Sequence, residues 1–170
     1  MALASEVWVR LLAGEPDAGI ALADRGERDF PGLGPLKAYR ALCRLARGET
    51  ARAVEELTAL DGERISPVVS LWRAFALARD GRAAESDQAL AATIAQHGEE
   101  SLNVYYRAWI HLALGRSAAA LQAIQSSIER REEQASWILV DPNLAPLRGE
   151  PRLDELVRAA GFDPREQRRH

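Results

Sequence analysis

Residues 105–128 read YYRAWIHLALGRSAAALQAIQSSI, and two short helices meeting at Leu114-Gly115-Arg116 account for them. Tyr105, Ala108, Trp109 and Leu112 stand at the i, i+3, i+4, i+7 spacing of one helical face. Ala120, Leu121, Ile124 and Ile128 give the second helix an apolar face of its own. Between them, Gly115 can end a helix in the left-handed conformation at little steric cost. A hairpin of this kind cannot bury its own apolar face and needs neighbours of similar build.

The chain supplies those neighbours. Glycines stand at 14, 48, 81 and 115, in steps of 34, 33 and 34 residues. The text around them repeats as LLAGEPDAGIALA, RLARGETARAVEEL, LARDGRAAESDQAL and LALGRSAAALQAI. Seven residues before each glycine stands a modest side chain, Val7, Ala41, Ala74 or Ala108; six before it stands a large one, Trp8, Leu42, Phe75 or Trp109. Five after it the residue is small, Gly19, Ala53, Ser86 or Ala120, and nine after it come Ala23, Leu57, Leu90 and Ile124. Small residues let two helices approach, and large ones fill the grooves between them.

A period near 34, a helix-turn-helix unit and the small-x3-large pattern of Ala53 to Leu57 and Ala120 to Ile124 resemble tetratricopeptide repeats. Pro31 falls where that family often closes a repeat. The resemblance implies an all-α, right-handed superhelical solenoid of about four hairpins, at 3–31, 35–65, 67–98 and 100–132. The match departs in one consistent way: Arg40-Ala41, Arg73-Ala74 and Arg107-Ala108 stand where the family usually has Leu-Gly. The family's early Trp is also missing, its column reading Leu3, Lys37, Ser70 and Val104.

Local signals set the expected boundaries. The first repeat spans 3–13 and 16–25, with Pro16 suited to a first helical turn. The linker ERDFPGLGP is rich in turn residues. The second spans 36–47 and 50–60 and the third 68–79 and 83–96, with Ser66-Pro67 an N-cap followed by proline. Beyond ERREEQ the pattern changes, because three prolines in WILVDPNLAPLRGEPRLDELVRAAGF exclude a long helix before Pro151. Short turns near 136–140 and 142–147 and a helix over 151–160 form a C-terminal cap, at 133–162, which a solenoid needs to cover its last face. Residues 163–170 are polar and expected to be disordered. The cap resembles the LxVDPxxxPLRxxPR-type ending of many bacterial tetratricopeptide proteins. In that group such arrays often form part of transcription regulators, kinases or cyclases.

Composition narrows the function. With 170 residues the chain can bury a real core, and 47% apolar content with 6% aromatic makes that core mainly aliphatic. A net charge of −3 gives no bulk attraction to nucleic acid or an anionic membrane. The only cysteine, Cys43, excludes an internal disulfide framework and lies in an apolar helical run, as a buried thiol would. The opening MALASEVWVRLLAGEP carries Glu6 and Arg10 and lacks a basic leader, which points to a cytoplasmic protein. His97, His111 and His170 have no second ligand at a recognised metal spacing, and the glycines form no phosphate loop. Neither a catalytic constellation nor a cofactor is expected.

One chemical feature repeats. Eight residues before each glycine the column reads Glu6, Arg40, Arg73, Arg107; four before it, Arg10, Arg44, Leu77, His111. One helical turn separates the columns, so they share a face of each first helix. Stacking would align them into a basic ridge, and the resemblance implies that first helices line the concave, peptide-holding side. On that reading Arg40, Arg44, Arg73, Arg107 and His111 hold an acidic peptide or carboxylate, with Tyr105 and Trp109 adding apolar contact. The same arginines can instead pair with second-helix acids such as Glu55 or Glu85, and Trp8, Phe75 and Trp109 can serve as core. The expected function is a protein-binding adaptor without turnover. A regulatory or ligand-sensing module is the alternative, and an α-helical enzyme a third. Oligomeric state stays open, since a partial first repeat leaves the N-terminal face available for self-association.

Overall fold

The computed structural model describes residues 2–62 and 66–163, with the side chains of Ala2, Asp61 and Gly62 left aside. The expected tail and His170 therefore lie almost wholly outside the described residues, as does the end of the second repeat. The described chain is all helical, without a strand. Its helices are α1 (Ala2–Leu12), α2 (Pro16–Asp29), α3 (Gly34–Ala46), α4 (Thr50–Gly62), α5 (Pro67–Arg79), α6 (Ala83–His97), α7 (Tyr105–Ala113), α8 (Ser117–Glu129) and α9 (Pro151–Ala159). Short 3-10 turns cover Glu99–Ser101, Glu133–Trp137 and Pro142–Leu147.

The four glycines build one turn four times. Gly14, Gly48, Gly81 and Gly115 have φ of 74°, 82°, 77° and 72°. The residue after each donates its N–H to the carbonyl four residues before the glycine: Glu15 to Arg10, Glu49 to Arg44, Arg82 to Leu77 and Arg116 to His111, at 2.8–2.9 Å. This is the Schellman closure, which satisfies carbonyls that the helix end would leave bare. Proline opens α2, α3, α5 and α9, where its missing N–H costs nothing. Ser66 caps α5 by accepting from the Val68 N–H at 3.3 Å.

The chain divides into two compact units, Met1–Leu102 and Asn103–His170. The division places the fourth hairpin with the C-terminal cap rather than with the first three hairpins.

In Met1–Leu102 each helix packs on the next, and the first helices also pack on one another, α1 on α3 and α3 on α5. The repeating columns form the core here. Val7, Ala41, Ala74 and Ala53 are fully buried, and Trp8, Leu42 and Phe75 fill the spaces around them. Burying a large aliphatic or aromatic side chain contributes about 1.5–3 kcal/mol. A run of aromatics links the first helices, Trp8 to Tyr39 at 5.9 Å and Tyr39 to Trp72 at 5.2 Å between ring centroids. Helix α2 runs to Asp29, beyond the expected 25, and its buried stripe of Ile20, Leu22 and Ala23 continues to Gly26. Gly19 brings α2 close to α3: a Cβ there would lie 2.7 Å from the Cys43 sulfur. Cys43 is buried as expected, and burial pushes its thiol pKa up to about 12.

In Asn103–His170, α7 packs on α8 and on the Pro142–Leu147 turn, while α8 packs on Glu133–Trp137 and on α9. Ala108, Trp109, Ala120 and Ile124 continue the four columns and are all buried. After α8 the chain forms the two 3-10 turns and α9, and Ile138, Leu144, Leu147, Leu153 and Val157 are among the side chains it buries.

Candidate functional site

The basic columns lead to two grooves in Met1–Leu102, each floored by a first helix and walled by the second helices on either side. The groove floored by α3 is filled by ion pairs. Arg40 meets Asp24 at 2.8 Å and Glu27 at 2.5 Å, both on α2, and Glu56 of α4 at 3.4 Å. Arg44 meets Glu49 and Glu56, each at 3.0 Å, and Lys37 meets Glu27 at 3.4 Å. Only 15% of the Arg40 side chain and 8% of the Arg44 side chain are exposed. Burial works against the Arg40 charge, but Asp24, Glu56 and Glu27 outweigh it and raise its pKa. Neither guanidinium is free to form a basic ridge, because Glu56 of α4 reaches both, α2 brings two more carboxylates to Arg40, and Glu49, just before α4, meets Arg44. The pairing reading therefore describes Arg40 and Arg44, with Asp24, Glu27, Glu49 and Glu56 as the acids.

The groove floored by α5 is open. Arg73 and Leu77 form its floor, Val54, Glu55, Thr58 and Ala59 of α4 one wall, and α6 the other, enclosing about 820 Å³. On the α6 side Arg82 grips Glu85 through two bonds, at 2.7 and 2.5 Å. The Arg82 bond comes first, with the Arg73 charge adding to it, and together they hold Glu85 below the usual carboxylate pKa. The groove thus combines an apolar strip, Val54, Leu77 and Ala89, with charged groups around it.

The remaining expected site residues lie in the other unit. Arg107 and His111 are half-buried on α7. Tyr105 and Trp109 are fully buried, which corrects their reading as a surface for a ligand. Their polar atoms face inward: the Tyr105 hydroxyl and the Trp109 indole N–H both donate to one Asp141 carboxylate oxygen, at 2.8 and 2.7 Å. The other oxygen accepts from the Asn143 N–H at 2.8 Å and side-chain amide at 3.1 Å. Asp141 is 1% exposed, and burial raises its pKa although these donors oppose the shift. Burial, with the Asp141 charge beside it, moves the Tyr105 hydroxyl well above the usual tyrosine value. The Asp of the VDP stretch is therefore what ties the cap to α7.

A second carboxylate acts nearby. Glu132 accepts from the Val104 and Tyr105 N–H groups at 2.9 and 3.0 Å and from the Ser127 hydroxyl at 2.8 Å, capping the N-terminus of α7. Sequence reasoning missed both acids, and it missed the open groove. The signal for the groove was present in the columns: Asp24 and Glu56 have as their counterparts, one repeat later, Thr58 and Ala89.

Among the described residues no group of three or more His, Cys, Asp or Glu could hold a metal ion, and no helix is long and apolar enough to cross a membrane. No family model matches the chain, and neither does any curated protein or solved structure.

Proposed function

We propose that this chain is a protein-binding module of the tetratricopeptide type, an adaptor without turnover whose hairpins continue one another as a right-handed superhelix. The observation that carries the reading is the open groove of about 820 Å³ between α4 and α6. Its neighbour, built at the same repeat positions, is closed by the chain's own side chains. The open copy combines a firm helical floor with apolar and charged groups, the mixture that positions a peptide segment. Helix-based walls suit this task because they hold their side chains in place before a partner arrives.

A site-specific photocrosslinker at Ala92, on the α6 wall, tests the proposal. A partner captured there in cells, and not from a crosslinker at exposed Ala118, supports the reading; equal capture from both positions removes it. The groove volume also suits a small molecule, which favours a ligand-sensing module as the second reading. A melting shift with a metabolite, abolished by Ala92→Trp, would favour that reading over the adaptor.

A further inference from the structure

Four charged groups line the open groove, Glu55, Arg73, Arg82 and Glu85, two of each sign. Formal charge therefore favours no occupant, and the engagement of each group decides instead. Arg82 commits its guanidinium to Glu85 through both carboxylate oxygens. Arg73 is half-buried on the floor, adds its charge at Glu85 and is not free either. Glu55 differs from all three. It stands exposed on the α4 wall, and among the described residues no hydrogen bond or ion pair engages its carboxylate. The arginine column suggested an acidic ligand, but in this groove the cations are engaged and the open charge is an anion.

The other open polar groups are acceptors as well. Thr58, three residues after Glu55 on the same wall, and Gln88, on the α6 wall, are exposed and make no hydrogen bond among the described residues. A hydroxyl and a side-chain amide each donate and accept, which suits the N–H and C=O groups of a peptide backbone. Between the walls lies the apolar strip of Val54, Leu77 and Ala89, flanked by the small side chains Ala59 and Ala92. The α6 wall begins with Arg82 at the N-cap of that helix, where the positive end of the helix dipole also lies. A cation is repelled there and attracted to Glu55, so the two walls are not equivalent.

Resting on the reading of this groove as a partner site, we propose that its occupant is a basic peptide segment. One of its Lys or Arg side chains pairs with Glu55 on the α4 wall, and aliphatic side chains beside it cover Leu77 and Ala89. An exposed pair of this kind contributes little in water, and it strengthens as the bound segment excludes water from around it. The apolar strip and the pair therefore depend on each other, and neither alone selects the ligand.

Random short peptides displayed on phage, selected on the full chain and counter-selected on Ala92→Trp, provide the test. The recovered peptides are expected to carry Lys or Arg beside aliphatic residues. Glu55→Gln should weaken them roughly tenfold in fluorescence anisotropy, the size of a charge-assisted hydrogen bond. Glu55→Lys, at an exposed position that should keep the parent's circular dichroism and melting temperature, is expected to lose them and to bind versions with Glu in place of the basic residue. Recovered peptides that are acidic or uncharged, or whose binding Glu55→Gln leaves unchanged, overturn the inference and leave the groove as a partner site. If no peptide distinguishes the parent from Ala92→Trp, the inference fails. If crosslinking at Ala92 also captures nothing, the reading of the groove fails with it.

Discussion

A single carboxylate, Asp141, accepts from Tyr105, Trp109 and twice from Asn143, and each donor loses its partner if the acid is removed. Asp141→Asn keeps the shape but turns an amide donor toward other donors. It should cost about 1–3 kcal/mol in urea unfolding. The pH dependence has a definite sign. Because the folded pKa is raised, the folded chain holds this proton more tightly than the unfolded chain. The associated stability is present below the unfolded carboxylate value, about 4, and is lost as pH rises through the folded value. The margin of wild type over Asp141→Asn should therefore shrink between acid and neutral pH. A widening margin would show that the donors, not burial, dominate. Gly19 offers a second single-residue test, since an added Cβ would lie 2.7 Å from the Cys43 sulfur. Gly19→Ala gains about 0.5–1 kcal/mol of helix preference but pays overpacking of about 1–3 kcal/mol, so a net loss is expected. In a Cys43→Ala background, where the sulfur is gone, the sign of the change should reverse.

At the scale of elements, the Schellman closure recurs after α8 with Arg131 in place of glycine, at φ 54°, and Glu132 donating to the Ser127 carbonyl at 3.0 Å. A side chain in that conformation costs about 1 kcal/mol or more. Arg131→Gly should therefore raise the unfolding free energy, by up to about 1 kcal/mol after the added freedom of the unfolded chain. No gain would mean that the Arg131 side chain makes up for its backbone. The columns beside the turns were legible in the sequence because packing makes the same demand on every hairpin. Val7, Ala41, Ala74 and Ala108 are all fully buried because a larger group would push helices apart. The arginine column was visible as a column, but its role was not. Whether Arg40 faces water or acid depends on residues such as Asp24 and Glu56, each 16 positions away on different helices. The reading of Tyr105 and Trp109 as ligand contacts missed Asp141, 36 and 32 residues further along, whereas Trp109 is the core side chain that its column also suggested.

At the scale of the whole molecule, the bonds that hold α7 to the cap run within Asn103–His170, and the arginine cluster lies within Met1–Leu102. Damage should therefore stay local. Asp141→Asn is expected to raise amide hydrogen exchange in α7 and in the Pro142–Leu147 turn while leaving α3 at its wild-type rate. Faster exchange in α3 as well would show one cooperative block. The two compact units were not legible in the sequence, where the fourth hairpin looks like another copy. What sets it apart is chemistry absent from its predecessors: Tyr105 beside Trp109, and a proline-rich segment that presents an acid to both.

That arrangement makes the cap portable. Everything that seats Asp141 travels in one continuous segment, from the Tyr105 hydroxyl to the Asn143 amide. Grafted as a block onto another array of helical hairpins, it would bring its own lock and keyhole. Spliced at Glu133 instead, it would arrive with Asn143 on one oxygen of the acid and neither Tyr105 nor Trp109 to receive the other. For anyone recombining such arrays, the seam belongs before the last hairpin and not after it.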